Sequence, residues 1–122
     1  MPQTRLTWCR QMLIPMVGAL ASSVGVQAAE LTFDLKIEHE QVAQNMRLIR
    51  VKQLDVVRLR WGTDQPLTVH LHGYDVEKRL APGTATAMAF TAYAAGRFPV
   101  HLHGAGGAHD ETPLVVIEVY PK

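Results

Sequence analysis

Leu31-Thr32-Phe33-Asp34-Leu35-Lys36-Ile37-Glu38 carries an apolar side chain at every odd position and a polar one at every even position. A period of two is what a strand with one face buried and one face wet requires. The same pattern returns in Met46 to Val51, Val56 to Trp61, Leu67 to His72, Ala85 to Ala92, Phe98 to His103 and Leu114 to Tyr120. Turn formers separate these segments: Gln53 to Asp55, Gly62 to Pro66, Gly73 to Asp75, Pro82-Gly83, Ala94 to Gly96 and the glycine-rich Gly104 to Ala108. Only Glu40 to Asn45 has room for a helical turn. About seven short strands with no crossover helix predict an all-β, Greek-key antiparallel β-sandwich.

The chain has 122 residues, twelve Lys or Arg against eleven Asp or Glu, six His and one Cys. That length allows one domain. The near-neutral balance supplies no field to draw nucleic acid or an anionic membrane surface. Residues 1–28 have the layout of a secretory signal peptide: Arg5 and Arg10 first, an apolar stretch from Met12 to Val26, then Val26-Gln27-Ala28 before Ala29. The apolar stretch is interrupted by Pro15, Gly18 and Gly25 and falls short of the roughly twenty residues that span a bilayer. Cleavage after Ala28 leaves a domain at 29–122 and discards Cys9, which precedes the apolar stretch and is misplaced for lipid attachment. The expected mature protein is periplasmic or secreted, is not held at a membrane, and folds without a disulfide.

Val69-His70-Leu71-His72-Gly73 and Val100-His101-Leu102-His103-Gly104 are the same five residues, thirty-one positions apart. On a strand, His at i and i+2 share a face while Val and Leu take the other. The apolar face must be the buried one, so the four imidazoles project outward and can serve one metal ion or two adjacent ions. Imidazole nitrogen suits Cu(II), Zn(II) or Ni(II), with copper the tightest of the divalent series. His109, with Asp110 and Glu111, follows the glycine-rich loop and is a candidate fifth ligand or a partner to a ligand; a solvated loop is the equal alternative. Asp75 suits either of two roles, orienting a ligand imidazole or stabilising a turn. His39 is expected to be a surface residue. Trp61, Phe90, Phe98, Tyr93 and Tyr120 are expected at the core or its rim, and Met46 and Met88 in the core.

From Leu48 to Lys122 the chain resembles a cupredoxin domain, and its histidine motifs resemble those of multicopper oxidases. The likeness rests on Val51 to Trp61 as strand, tight turn and strand, on Pro82-Gly83 with Ala87 to Ala92, on Gly96-Arg97-Phe98, and on both H-x-H motifs. In that family one motif reads His-Pro-x-His-x-His-Gly, its first His on the blue type 1 copper and the later two on the type 2 and type 3 coppers. Here His70 and His72 match the later pair, and Leu67 stands where the blue-copper His would be. His101-Leu102-His103 matches the second motif with Leu102 at the thiolate position. The resemblance therefore implies the fold of a blue copper protein without its blue centre, and half of a histidine cluster that the oxidases build between two domains.

No nucleophile elbow, phosphate loop or Ser/Cys nucleophile beside a base is present, which removes hydrolase and nucleotide functions. Three readings remain. The first is an exported, non-enzymatic copper-binding protein that sequesters or delivers the metal, with a copper exporter or another periplasmic protein as partner. The second is a metal-free interaction module of a transporter or redox complex. The third is a subunit of an oligomeric copper oxidase, which would need a separate entry site for electrons.

Overall fold

The computed structural model describes residues 28–103 and 112–122, together with Pro15 and Gly18. Among the described residues nine strands run in chain order: β1 Glu30–Glu38, β2 Gln41–Val42, β3 Leu48–Lys52, β4 Val56–Thr63, β5 Leu67–Leu71, β6 Val76–Leu80, β7 Thr86–Thr91, β8 Gly96–His103 and β9 Val115–Tyr120. They form two sheets, a four-stranded one in the order β2-β1-β4-β7 and a five-stranded one in the order β3-β9-β8-β5-β6. All seven strands expected from the alternation are present. The chain passes between the sheets at β2–β3, β3–β4, β4–β5, β6–β7 and β7–β8, as the crossovers of a Greek-key sandwich do.

Alternation becomes burial strand by strand. In β4, Val57, Leu59 and Trp61 are buried while Arg58 and Arg60 face water; in β9, Val115, Ile117 and Val119 are buried. These side chains meet Leu35, Ile37, Val69, Leu71, Met88 and Val100 in one core between the sheets. Met46 packs against its edge, and Tyr93 and Tyr120 lie on the surface.

Three details differ from the expectation. Two pairings are parallel, β1 with β4 and β3 with β9, so the sandwich is mixed rather than purely antiparallel. Parallel neighbours need a connection that leaves and returns; here the opposite sheet supplies it, since β3 lies between β1 and β4 in the chain and belongs to the other layer. Second, β6 was not anticipated. It is an edge strand carrying Glu77, Lys78 and Arg79 in succession, and an edge tolerates, even favours, such a charged run. Third, Glu40–Asn45 is not one helical turn. His39 and Glu40 adopt left-handed conformations (φ 51° and 63°) in a two-residue turn into β2, and a short 3-10 turn follows at Gln44–Met46.

At the end of the sandwich where β3 turns into β4, Leu54 takes φ 75° and the Asp55 N–H donates to the Lys52 carbonyl at 3.1 Å. Asp55 is the one buried charged residue among the described residues. Its carboxylate accepts from the Lys52 N–H at 2.9 Å and from the Ala29 N–H at 3.3 Å.

Candidate metal centre

Strands β5 and β8 are antiparallel neighbours, which brings the two H-x-H-G segments side by side. His70 stands opposite His101, His103 opposite Thr68, and the His72 N–H donates to the Pro99 carbonyl at 3.0 Å. Val69, Leu71 and Val100 are fully buried, so the imidazoles must leave the sheet on its outer face. Leu102 departs from the expectation of burial: as the penultimate residue of β8 it sits at the rim, packed against the core yet partly exposed.

Three of the five candidate ligands meet. One ring nitrogen from each of His70, His72 and His103 lies within 4.8 Å of the other two. With metal–nitrogen bonds of about 2.0–2.1 Å, nitrogens sharing one ion stand about 3–4 Å apart, so side-chain motion of an ångström or less closes the set. The His70 and His72 rings are 4.3 Å apart between centroids, and His70 and His103 are 5.7 Å apart. His101 stands beside this triad rather than in it, its ring edge-on to His72 at 4.8 Å. His109 lies outside the described residues.

The donor set is all imidazole, half-buried at His70 and His103 and exposed at His72. Crowding lowers the pKa of His72 from its ordinary value: lost hydration among the rings comes first, then repulsion from charge on His70, His101 and His103, with Asp75 opposing. At neutral pH the His72 ring therefore already presents a lone pair. Asp75 lies in the β5–β6 turn, beside His70. It turns the chain at φ 58°, and with the proton on His70 Nε2 that ring donates to Asp75 Oδ1 at 3.4 Å, leaving Nδ1 unprotonated.

The turn that carries Asp75 is itself anchored. Gly73 adopts φ +90°, and a Cβ there would lie 2.5 Å from Phe98 Cδ1. Tyr74 packs between Phe90 and Phe98 with centroid separations of 4.8 and 4.7 Å, and its hydroxyl donates to the Ala94 carbonyl at 3.0 Å. Sequence reasoning missed Tyr74. The one signal was an aromatic residue immediately after the H-x-H-G segment, where a solvated turn was expected.

No family model and no curated protein matches the chain. Solved structures do. The periplasmic domain of subunit II of cytochrome oxidase (CoxB) of Bradyrhizobium japonicum is similar at TM-score 0.62 and 18% identity, over 80% of this chain and 89% of that one. A copper binding protein solved in the apo form is similar at TM-score 0.58 and 14% identity, over 76% and 90%. The multicopper oxidase mgLAC is similar at TM-score 0.62 and 22% identity, over 77% of this chain and 40% of that one. The chain thus spans well under half of that oxidase, and it covers 63% of the matched chain of a heme-copper terminal oxidase. At these identities the likeness establishes the fold: this is a cupredoxin-like β-sandwich with a histidine triad on the outer face of its larger sheet.

Proposed function

We propose that the protein is exported and binds copper at a non-blue histidine site, holding the ion or passing it on rather than turning over a substrate. The convergence of His70, His72 and His103 carries this reading. Copper is the cargo that fits best, since three imidazoles favour Cu(II) over Zn(II) or Ni(II). The similar structures support the choice, one being named as a copper binding protein and another as a multicopper oxidase. Leu67 and Leu102 occupy the positions of two type 1 ligands in the oxidase motifs, and cleavage after Ala28 removes Cys9, so a blue centre has no thiolate to use.

The outer face of the sheet suits exchange. His72 is exposed just past the end of β5, while His70 and His103 stand half-buried on strand positions, so an incoming ligand from a copper exporter or another periplasmic protein can reach the ion. The test is titration of the exported protein with Cu(II), Zn(II) and Ni(II) by equilibrium dialysis, with His70→Ala and His103→Ala beside it. One tightly bound Cu(II) per chain, weakened at least tenfold by either substitution, supports the reading. Absence of metal binding, or binding indifferent to both substitutions, overturns it in favour of an interaction module.

A further inference from the structure

The fold takes hold of the chain at the residue where the signal sequence is expected to end. Ala28 and Ala29 are exposed, and among the described residues the first backbone group bound to the sandwich is that of Ala29: its carbonyl accepts from the Val56 N–H at 2.9 Å, and its N–H donates to Asp55 Oδ1 at 3.3 Å. The Ala29 nitrogen therefore already faces the one buried carboxylate among the described residues, whose other oxygen is held by the Lys52 N–H.

We propose that Ala28–Ala29 is the processing site and that the new α-ammonium of Ala29 becomes the counter-charge of Asp55. Hydrolysis adds one water across the amide: Ala28 leaves with the carboxylate, and the amine left on Ala29 takes up a proton. A single neutral N–H is thereby exchanged for a cation with three donors at the same position. Hydrogen bonds to a charged partner are stronger than neutral ones, and most so where the acceptor is removed from water. The ammonium itself remains partly hydrated, which limits the gain. Processing then does more than release the chain: it strengthens the tie between the start of β1 and the β3–β4 turn.

The inference rests on the export half of the proposed function and not on copper. Its test begins with the mass of the protein recovered from the periplasm after expression of the full chain. An N-terminus at Ala29 is the expected result, and any other overturns the processing site. Selective acetylation of the α-amine of that mature protein then removes the charge while keeping an N–H. Acetylation is expected to lower the folding equilibrium constant about five- to tenfold in urea unfolding, and to have no such effect in Asp55→Asn. Equal losses in both proteins overturn the pairing. Should Asp55→Asn fail to fold, acetylation of the unsubstituted protein still decides, because an unchanged unfolding midpoint refutes the ion pair. Copper titration of the same samples reads the metal site separately.

Discussion

Gly73→Ala is the substitution through which the fold and the candidate metal centre are tested together. Two costs add at this position. A residue with a Cβ at φ +90° loses roughly 1–2 kcal/mol to left-handed strain. The new methyl also meets the Phe98 ring at 2.5 Å from Cδ1 and 2.9 Å from Cε1, in a ring cluster with Tyr74 that must shift to admit it. Overpacking of this kind costs about 1–3 kcal/mol. Together they give about 3 kcal/mol, which for a domain of this size lowers Tm by roughly 12–24 °C. Gly83→Ala is the internal control: its φ of +81° is equally left-handed, but nothing lies within 4 Å of the added Cβ. Gly83→Ala should therefore show the backbone strain alone, about a third to two thirds of the loss. Thermal and urea unfolding of the metal-free proteins measure both. Equal losses in the two variants would mean that Phe98 yields freely and that the turn is not wedged by it. The site should feel the same change, because Gly73 joins His72 to Tyr74 and Asp75.

Asp75→Ala, which removes the acceptor beside His70 Nε2, should weaken Cu(II) binding about 10–100-fold while leaving unfolding of the apo protein within about 1 kcal/mol; competition dialysis reads the first and urea unfolding the second. The lowered pKa of His72 sets a pH dependence: between its folded value and the ordinary His value near 6.5 the unfolded chain binds more protons, so apo stability falls as pH drops through that window. Urea midpoints at pH 7.5 and below 6 test this, and His72→Gln should flatten the slope. The exported Cu(II) protein should lack an intense blue thiolate band and show a tetragonal, nitrogen-rich paramagnetic resonance signal; a strong blue band in the protein lacking Cys9 would refute the ligand assignment.

The strands were legible because both faces of most of them declare themselves: Val57, Leu59 and Trp61 against Arg58 and Arg60 leave one orientation for β4. β6 was not, since Glu77, Lys78 and Arg79 break the alternation and only pairing with β5 makes them a strand. The parallel pairings were equally hidden. Alternation fixes which face of a strand is wet, not which neighbour it takes or in which direction. For the site, the duplicated H-x-H-G predicted a shared face, and the register of β5 on β8 supplied the rest. Direct opposition of His70 and His101 would suggest that this pair is the nucleus of the cluster. The ring contacts instead link His72 to His101 and His70 to His103 across the diagonal, so the triad depends on side-chain directions that spacing alone does not encode.

The parallel pairing of β3 with β9 sets Leu48 against Val116 and Lys52 against Tyr120. Contacts between residues so distant in the chain raise the contact order, and the entropy of closing so long a loop must be met before they form. β9 is also the strand that holds β3 to β8 and so to the rest of its sheet. Until the ribosome has delivered residue 120, β3 has no neighbour and the larger sheet lacks a continuous hydrogen-bond ladder. The larger sheet is therefore completed only by its C-terminal strand, so a chain shortened before β9 leaves β3 without a neighbour.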